Sequence, residues 1–208
     1  MDLNPDAFNR LIGQVGQQFS WRKAFSCPCV TAATNAPSLS CPFCFGKGYQ
    51  WIDAVEGIAA VPSKKVQREF SNFGEWESGD MMLTIGSDSP LYDMGERDRV
   101  VRLNGNDPFS MSLRYGVNDK LPWTVKCIDR VFSIVGTSIV EASIPTQQPD
   151  GTLVFSGGAP AAGASYSVSG KKLSEYFVYK DFPSDRDHFF GAKLPIKVQL
   201  RRFDLFGR

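Results

Sequence analysis

Cys27-Pro28-Cys29 and Cys41-Pro42-Phe43-Cys44 are two close cysteine pairs separated by residues 30–40. Tetrahedral zinc needs four thiolates. A tight turn can supply two of them, and the intervening loop brings two such turns together. The second pair continues as Phe45-Gly46-Lys47-Gly48-Tyr49. Backbone N–H groups in such a knuckle turn toward the sulfurs, and glycine tolerates the positive φ this can require. Cys27, Cys29, Cys41 and Cys44 are therefore the expected ligands of a structural Zn2+ ion. Four thiolates leave no open position for a reacting water, so such a site folds a loop and does not catalyse. The C-x-C half is less usual than C-x-x-C, because one intervening residue strains the turn more than two. Free thiols and a redox-active pair are the alternatives; no βαβ pattern surrounds the C-x-x-C to favour the second.

Other catalytic chemistry has little to stand on. The single histidine, His188, lies in Asp185-Arg186-Asp187-His188-Phe189-Phe190 and reads as a surface or capping residue, so any Ser–His or Cys–His machinery would rest on it alone. No G-x-x-x-x-G-K-[ST] phosphate loop is present. The acids are scattered; Glu96-Arg97-Asp98-Arg99 alternates in sign and reads as a solvated strand start. Cys127 stands alone in the apolar run 125–135 and reads as a small buried hydrophobe. No catalytic residue is expected, and the chain is read as a non-enzyme.

The elements that position the cysteines follow from spacing. Asn4 is a good N-cap and Pro5 suits the first helical position. Phe8, Leu11, Ile12, Val15 and Phe19 recur at helical spacing, which predicts a helix over 4–19, packed on the body or docked on a neighbouring subunit. Residues 24–50 read as an irregular segment. From about residue 51 the signals are strands: 65–70, 81–85, 98–103, 109–115, 123–135, 152–156, 165–169 and 176–182, each bounded by Gly, Pro, Asn or Asp. Leu194, Ile196, Val198 and Leu200 alternate with Lys193, Pro195, Lys197 and Gln199, the period of a half-buried strand. The expected fold is mainly β, an antiparallel sandwich or barrel, with an N-terminal helix and zinc-knuckle arm over 1–50 and a β-rich body over 51–208.

The 208 residues, 42% hydrophobic and 22% charged, suit a soluble chain able to fill a core. A net charge of +1 gives no global basic surface for nucleic acid. The five basic residues from Lys193 to Arg208 could touch phosphates or an acidic partner, but read more simply as the wet face of an edge strand. No apolar run is long enough to span a bilayer and the N-terminus lacks a signal-peptide layout, so a cytoplasmic setting with reduced thiols and no membrane is expected.

The order of these features resembles a known family. It runs from a short helix through Cys41-Pro42-Phe43-Cys44-Phe45-Gly46-Lys47-Gly48-Tyr49 into a β-domain. That domain carries Gly79-Asp80, Glu96-Arg97-Asp98-Arg99-Val100 and the stretch from Gly157-Gly158-Ala159-Pro160 to Ser165-Tyr166-Ser167-Val168. It closes on Leu194-Pro195 and Leu200-Arg201-Arg202-Phe203. This is similar to the small neck proteins of tailed bacteriophages, the head-to-tail connector, head-completion or stopper class. The resemblance implies a virion structural subunit at the head–tail junction, assembled in the bacterial cytoplasm. It implies a homo-oligomeric ring, commonly of six or twelve copies, between portal or adaptor and tail proteins, with genomic DNA passing its lumen unread. Residues 157–164 and 72–79 would then be candidates for contacts with neighbours, or else plain hairpin turns. Another phage structural subunit (tail terminator, baseplate or decoration protein) and a zinc-stabilised nucleic-acid-binding module are the competing expectations.

Overall fold

The computed structural model describes residues 4–31, 36–63, 76–181, 188–189 and 191–206. In chain order the elements are α1 (Pro5–Val15), β1 (Gln17–Ser26), β2 (Tyr49–Ala59), β3 (Met81–Ile85), β4 (Arg99–Arg114), β5 (Val125–Val135), β6 (Ser138–Glu141), β7 (Thr146–Gln147), β8 (Leu153–Val154), β9 (Ser165–Asp181), β10 (His188–Phe189), β11 (Ala192–Lys193) and β12 (Ile196–Arg202). Short 3₁₀ turns cover Pro90–Asp93 and Phe203–Leu205. The protein is mainly antiparallel β with one short helix, as expected. The expected strand over 65–70 and residues 72–75 of the stretch 72–79 lie outside the described residues.

Two compact units divide the chain, residues 1–104 with 175–208 and residues 105–174. The boundary expected at residue 50 instead falls inside β2, which pairs along its length with β1 from Ser26↔Tyr49 to Gln17↔Ala59. The cysteine segment is therefore the connection of a β-hairpin within the first unit, and no separate arm. The actual division crosses β4 at Asn104-Gly105, inside the polar run read as a turn between two strands. It crosses β9 at Ser174-Glu175, where no turn residue marks it.

In the first unit the hydrogen-bonded order is β2-β1-β4-β9-β12-β3, and Ala60 exchanges two backbone hydrogen bonds with Thr84 of β3, at 2.9 and 2.8 Å. Its core gathers Phe19, Ala59, Leu83, Ile85, Leu91, Val100, Val178, Val198 and Leu200. α1 ends at Val15, four residues short of the expected stop. A Cβ at Gly16 would meet Ile58 Cγ2 at 2.3 Å and the Ile12 carbonyl at 2.5 Å, so only glycine lets β1 start there. Phe19 is thereby a strand residue, fully buried. Asn4 caps the helix, its Oδ1 accepting from Ala7 N–H at 3.2 Å. Of the apolar stripe on α1, Ile12 alone is buried; Phe8, Leu11 and Val15 are exposed.

β12 corrects two expectations. It is flanked by β9 and β3, so it is no edge strand. Its polar face is wet only in part: Lys197 is exposed, but Gln199 and Arg201 are buried along with Val198 and Leu200. Asp80, at the start of β3, explains this. Its carboxylate accepts from Gln199 Nε2 at 2.9 Å, Arg201 Nη2 at 3.1 Å and Glu77 N–H at 3.1 Å, which satisfies the buried polar face. The run 96–99 is likewise not simply solvated. Asp98 is buried and accepts from Trp21 Nε1, Ala24 N–H, Gly95 N–H and Lys23 Nζ, at 2.8, 2.8, 2.9 and 3.2 Å. Four donors hold that carboxylate and lock β1 to the start of β4.

In the second unit β9 pairs β5, and β5 pairs β6. Its core is Leu113, Leu121, Val131, Leu153, Tyr166 and Val168. Tyr166 donates its hydroxyl to Asp119 at 2.9 Å. Cys127 is exposed, contrary to expectation, and its thiol donates to Asp129 at 3.4 Å. The run 125–135 reads as apolar, but only Val131 and Ser133 in it are buried. The loop 157–164 is tied to its own unit by Ser143 N–H to the Gly158 carbonyl and Tyr115 N–H to the Ala164 carbonyl.

Candidate metal centre

β1 ends at Ser26, β2 begins at Tyr49, and Cys27 N–H donates to the Gly48 carbonyl at 2.8 Å, so the last rung of the hairpin sets the mouth of the cysteine loop. Inside the mouth the chain makes two turns. Val30 N–H returns to the Cys27 carbonyl at 2.9 Å, folding Cys29 back beside Cys27. Phe45 N–H returns to the Cys41 carbonyl at 3.0 Å and Lys47 N–H to the Cys44 carbonyl at 3.0 Å. The second turn needs left-handed backbone at Phe45 (φ 50°), Gly46 (φ 77°) and Gly48 (φ 77°). The glycines were legible for this role; Phe45 was not, because a phenylalanine carries no such signal.

The structure brings all four expected ligands together. Their sulfurs lie within 4.8 Å of one another, with Cys27 Sγ 3.8 Å from Cys41 Sγ and Cys29 Sγ 3.5 Å from Cys44 Sγ. A disulfide needs about 2.05 Å, so these are four separate thiols. Four sulfurs each about 2.3 Å from a central ion form a tetrahedron with edges of about 3.8 Å, the spacing seen here. Cys27, Cys41 and Cys44 are buried and Cys29 is half-buried, packed with Val30 in a small cluster of their own.

The backbone is arranged for thiolates. The N–H groups of Cys44 and Phe43 point at Cys41 Sγ and hold its thiol down to about 6. Burial, together with hydrogen bonds from the neighbouring thiols, pushes Cys29 up to about 12. Burial also opposes ionisation of Cys44, but the Gly48 N–H and Cys29 outweigh it and pull Cys44 down. Four thiolates this close repel one another, and a divalent cation at their centre offsets that repulsion. The group can hold a metal ion, and with four sulfurs around it no coordination position is left over.

The strand after the knuckle anchors it to the C-terminal turn, a contact that sequence reading missed. Trp51 packs edge-on against Phe203 and Phe206, with ring centroids 5.1 and 5.3 Å apart. Lys47 Nζ stands 4.2 Å from the Phe203 ring centre and the Arg99 guanidinium 4.4 Å from it. Burial, then the charge of Arg99, lowers the Lys47 pKa. The clue available was aromatic spacing at Tyr49, Trp51, Phe203 and Phe206, which does not reveal partners so distant in sequence.

His188 is exposed and sits in the two-stranded β10–β11 ladder opposite Lys193, remote in sequence from the cysteines. No helix among the described residues is long and apolar enough to cross a membrane. No protein-family model matches the chain, and no match is found among curated proteins.

Proposed function

We propose that this chain is a non-enzymatic structural subunit of a tailed-phage particle, a head-to-tail connector of the neck, with a structural Zn2+ held by Cys27, Cys29, Cys41 and Cys44. The identification with phage neck proteins rests on the ordered motifs of the sequence. The observation that supports an assembly role is uncovered apolar surface: Phe8, Leu11 and Val15 on α1, and Ile134, Val135, Ile139 and Val140 on the β5–β6 hairpin are all exposed. Patches of this kind on a folded protein mark contact with neighbours. Zinc suits the all-sulfur tetrahedral shell better than harder ions, and a shell filled by four thiolates fastens a loop.

The nucleic-acid reading loses support from the way two of the C-terminal cations are held. Arg201 pairs with Asp80 and Glu77, and Arg202 with Asp204. Those two charges are balanced inside the chain and are poorly placed to displace counterions from phosphates.

The decisive test is position. Mass spectrometry of purified particles should find the protein in stoichiometric ratio to the portal, and cryo-EM should place it as a ring at the head–tail junction. Absence from particles would reject the assignment, and a place in the baseplate or on the capsid would move it to another structural class. Metal analysis of protein purified without added metal should give one zinc per chain.

A further inference from the structure

The two turns of the cysteine loop are held face to face by more than their sulfurs. Val30 N–H and Phe45 N–H close them on the Cys27 and Cys41 carbonyls. Cys27 N–H ties the first turn to the Gly48 carbonyl behind the second, at 2.8 Å. A Cβ on Gly48 would stand 3.4 Å from Pro37 Cβ and 3.6 Å from Val30 Cγ2, and one on Gly46 3.5 Å from Leu39 Cα, so the connecting residues lie back over the second turn. Across this closed arrangement run two sulfur contacts, Cys29 to Cys44 at 3.5 Å and Cys27 to Cys41 at 3.8 Å. Each joins one turn to the other. They share no sulfur, so both can close together, and each pair has to approach by only about 1.5–1.8 Å to reach disulfide length. Access is unequal. Cys27, Cys41 and Cys44 are buried, while Cys29 is half-buried and is the sulfur that a small molecule in solution reaches first.

We propose that the four cysteines are a disulfide-forming site as well as a metal site: a small-molecule disulfide converts the loop from a metal-fastened form to one fastened by Cys29–Cys44 and Cys27–Cys41 bridges. The inference rests on the metal reading above and adds what the loop becomes when the ion is lost. With the ion bound every sulfur is a thiolate, so Cys29 is already the reacting species. Its sulfur attacks one sulfur of the reagent and expels a thiolate. Cys44 then attacks the mixed disulfide at the Cys29 sulfur, and the second reagent thiolate leaves. The first bridge removes two of the ion's four ligands, and a second reagent molecule joins Cys27 to Cys41 by the same two steps. Four protein thiolates lose four electrons. Two reagent disulfides gain them and leave as four thiolates, and the divalent cation departs into solvent. The negative charge of the buried sulfurs goes with the cation, so neither form strands ionised sulfur without a partner. Both fasteners tie the same two turns. A cytoplasm keeps thiols reduced and selects the metal form; an oxidising exterior selects the bridged one. A subunit that leaves its host inside a particle passes from the first medium to the second with its loop held throughout.

The test uses the full zinc-loaded chain and oxidised glutathione. A zinc indicator should follow the release of one ion per chain. Remaining free thiols are then blocked, and the chain is cut without reduction by chymotrypsin, which cleaves after Leu39 and Phe43. The piece carrying Cys27 and Cys29 should stay joined to the pieces carrying Cys41 and Cys44. Fragmentation at the Cys27–Pro28 bond in a mass spectrometer should assign Cys27 to Cys41 and Cys29 to Cys44. Cys127 falls on a separate piece, so its own chemistry does not enter the result. Calorimetry should find the bridged, metal-free chain melting several degrees above the chelator-stripped, reduced chain, and dithiothreitol should erase the difference. A Cys41–Cys44 bridge within one turn would overturn the proposal. So would bridges between chains through these four cysteines, or a bridged chain that melts with or below the stripped one. The outcome separates from the metal reading. Zinc released with bridging inside a turn leaves that reading standing and removes this one. Cross-turn bridges in a chain that never held zinc keep the disulfide site and remove the metal.

Discussion

Replacing Cys41 by serine tests the metal centre most sharply, because the effect should depend on whether metal is present. Cys41 Sγ is buried, 3.8 Å from Cys27 Sγ, and accepts the N–H groups of Cys44 and Phe43. Serine keeps the shape but replaces a soft thiolate by a short, hard hydroxyl, leaving three sulfurs. An ion that binds only the folded state stabilises it by about 2.7 kcal/mol when free metal stands 100-fold above Kd. For a chain of this size that is a melting shift of roughly 5–10 °C. In zinc buffer, Cys41→Ser should therefore melt about 5–10 °C below wild type and carry less than one ion per chain. With metal stripped by a strong chelator, the two proteins should melt within about 2 °C of each other, since only local packing then distinguishes them. Differential scanning calorimetry of both proteins in both buffers measures all four corners. A gap that persists unchanged in chelator would refute the reasoning: Cys41 would then be a packing thiol and the cluster no metal site.

Three further outcomes are expected. Asp80→Ala removes the buried carboxylate that accepts from Gln199 and Arg201, and should cost about 3–5 kcal/mol in urea denaturation; a loss under about 1 kcal/mol would mean that the carboxylate is not the organiser of β12. Burial, then the hydrogen bond to Asp119, holds the Tyr166 hydroxyl well above its ordinary range. Its folded-state pKa is raised, so its contribution is complete below the unfolded value of about 10 and fades as pH climbs beyond it. Wild type should then lose its advantage over Tyr166→Phe above pH 10, and a gap constant from neutral to alkaline pH would contradict the assignment. The metal should leave on acidification, because protons compete for thiolates that the bound ion keeps ionised, so its stabilisation exists at higher pH and fails as pH falls. A zinc-indicator titration should show release before global unfolding, more than one proton displacing each ion; metal content flat until the chain unfolds would argue against thiolate ligation.

The ligand set was legible because it is local. Two turns and their glycines announce themselves within residues 27–48, and the β1–β2 hairpin only has to close the loop. The β character was legible for the same reason, in period-two runs such as 194–200. What failed to show was whatever depends on a distant partner. β12 reads as half-wet because Gln199 and Arg201 are polar, and only the carboxylate of Asp80 makes that face a buried one. Asp98 reads as a surface acid until Trp21, Ala24 and Lys23 are seen to converge on it. Helical spacing carries on to Phe19 because that residue keeps helical phase by coincidence, while the fact that decides, the closeness of Ile58 to Gly16, lies across the fold. Asn104-Gly105-Asn106-Asp107-Pro108 carries every signal of a turn, yet β4 continues through it and the signal marks the border between units. Cys127 takes the apolar average of its run, which misleads because β5 buries only Val131 and Ser133.

The long connection between β1 and β2 brings these points to one physical cause. A loop of that length without secondary structure is uncommon inside a compact unit, because its backbone polar groups and its entropy have nothing to offset them. Here the ends are fixed without metal: Ser26↔Tyr49 pairs, Cys27 N–H meets the Gly48 carbonyl, and Trp51 is wedged against Phe203 and Phe206. Between those ends the thiols pack with Val30 in a small cluster of their own. The hydrophobic core of the first unit takes its buried side chains from the strands and from Leu91 and Met94, and, among the described residues, none from 27–48. The core of the unit therefore does not draw on the cysteine loop, and an ion held by the four sulfurs would act on the shape of that loop. Under the assembly role proposed above, a loop shaped in that way is placed to set a contact surface.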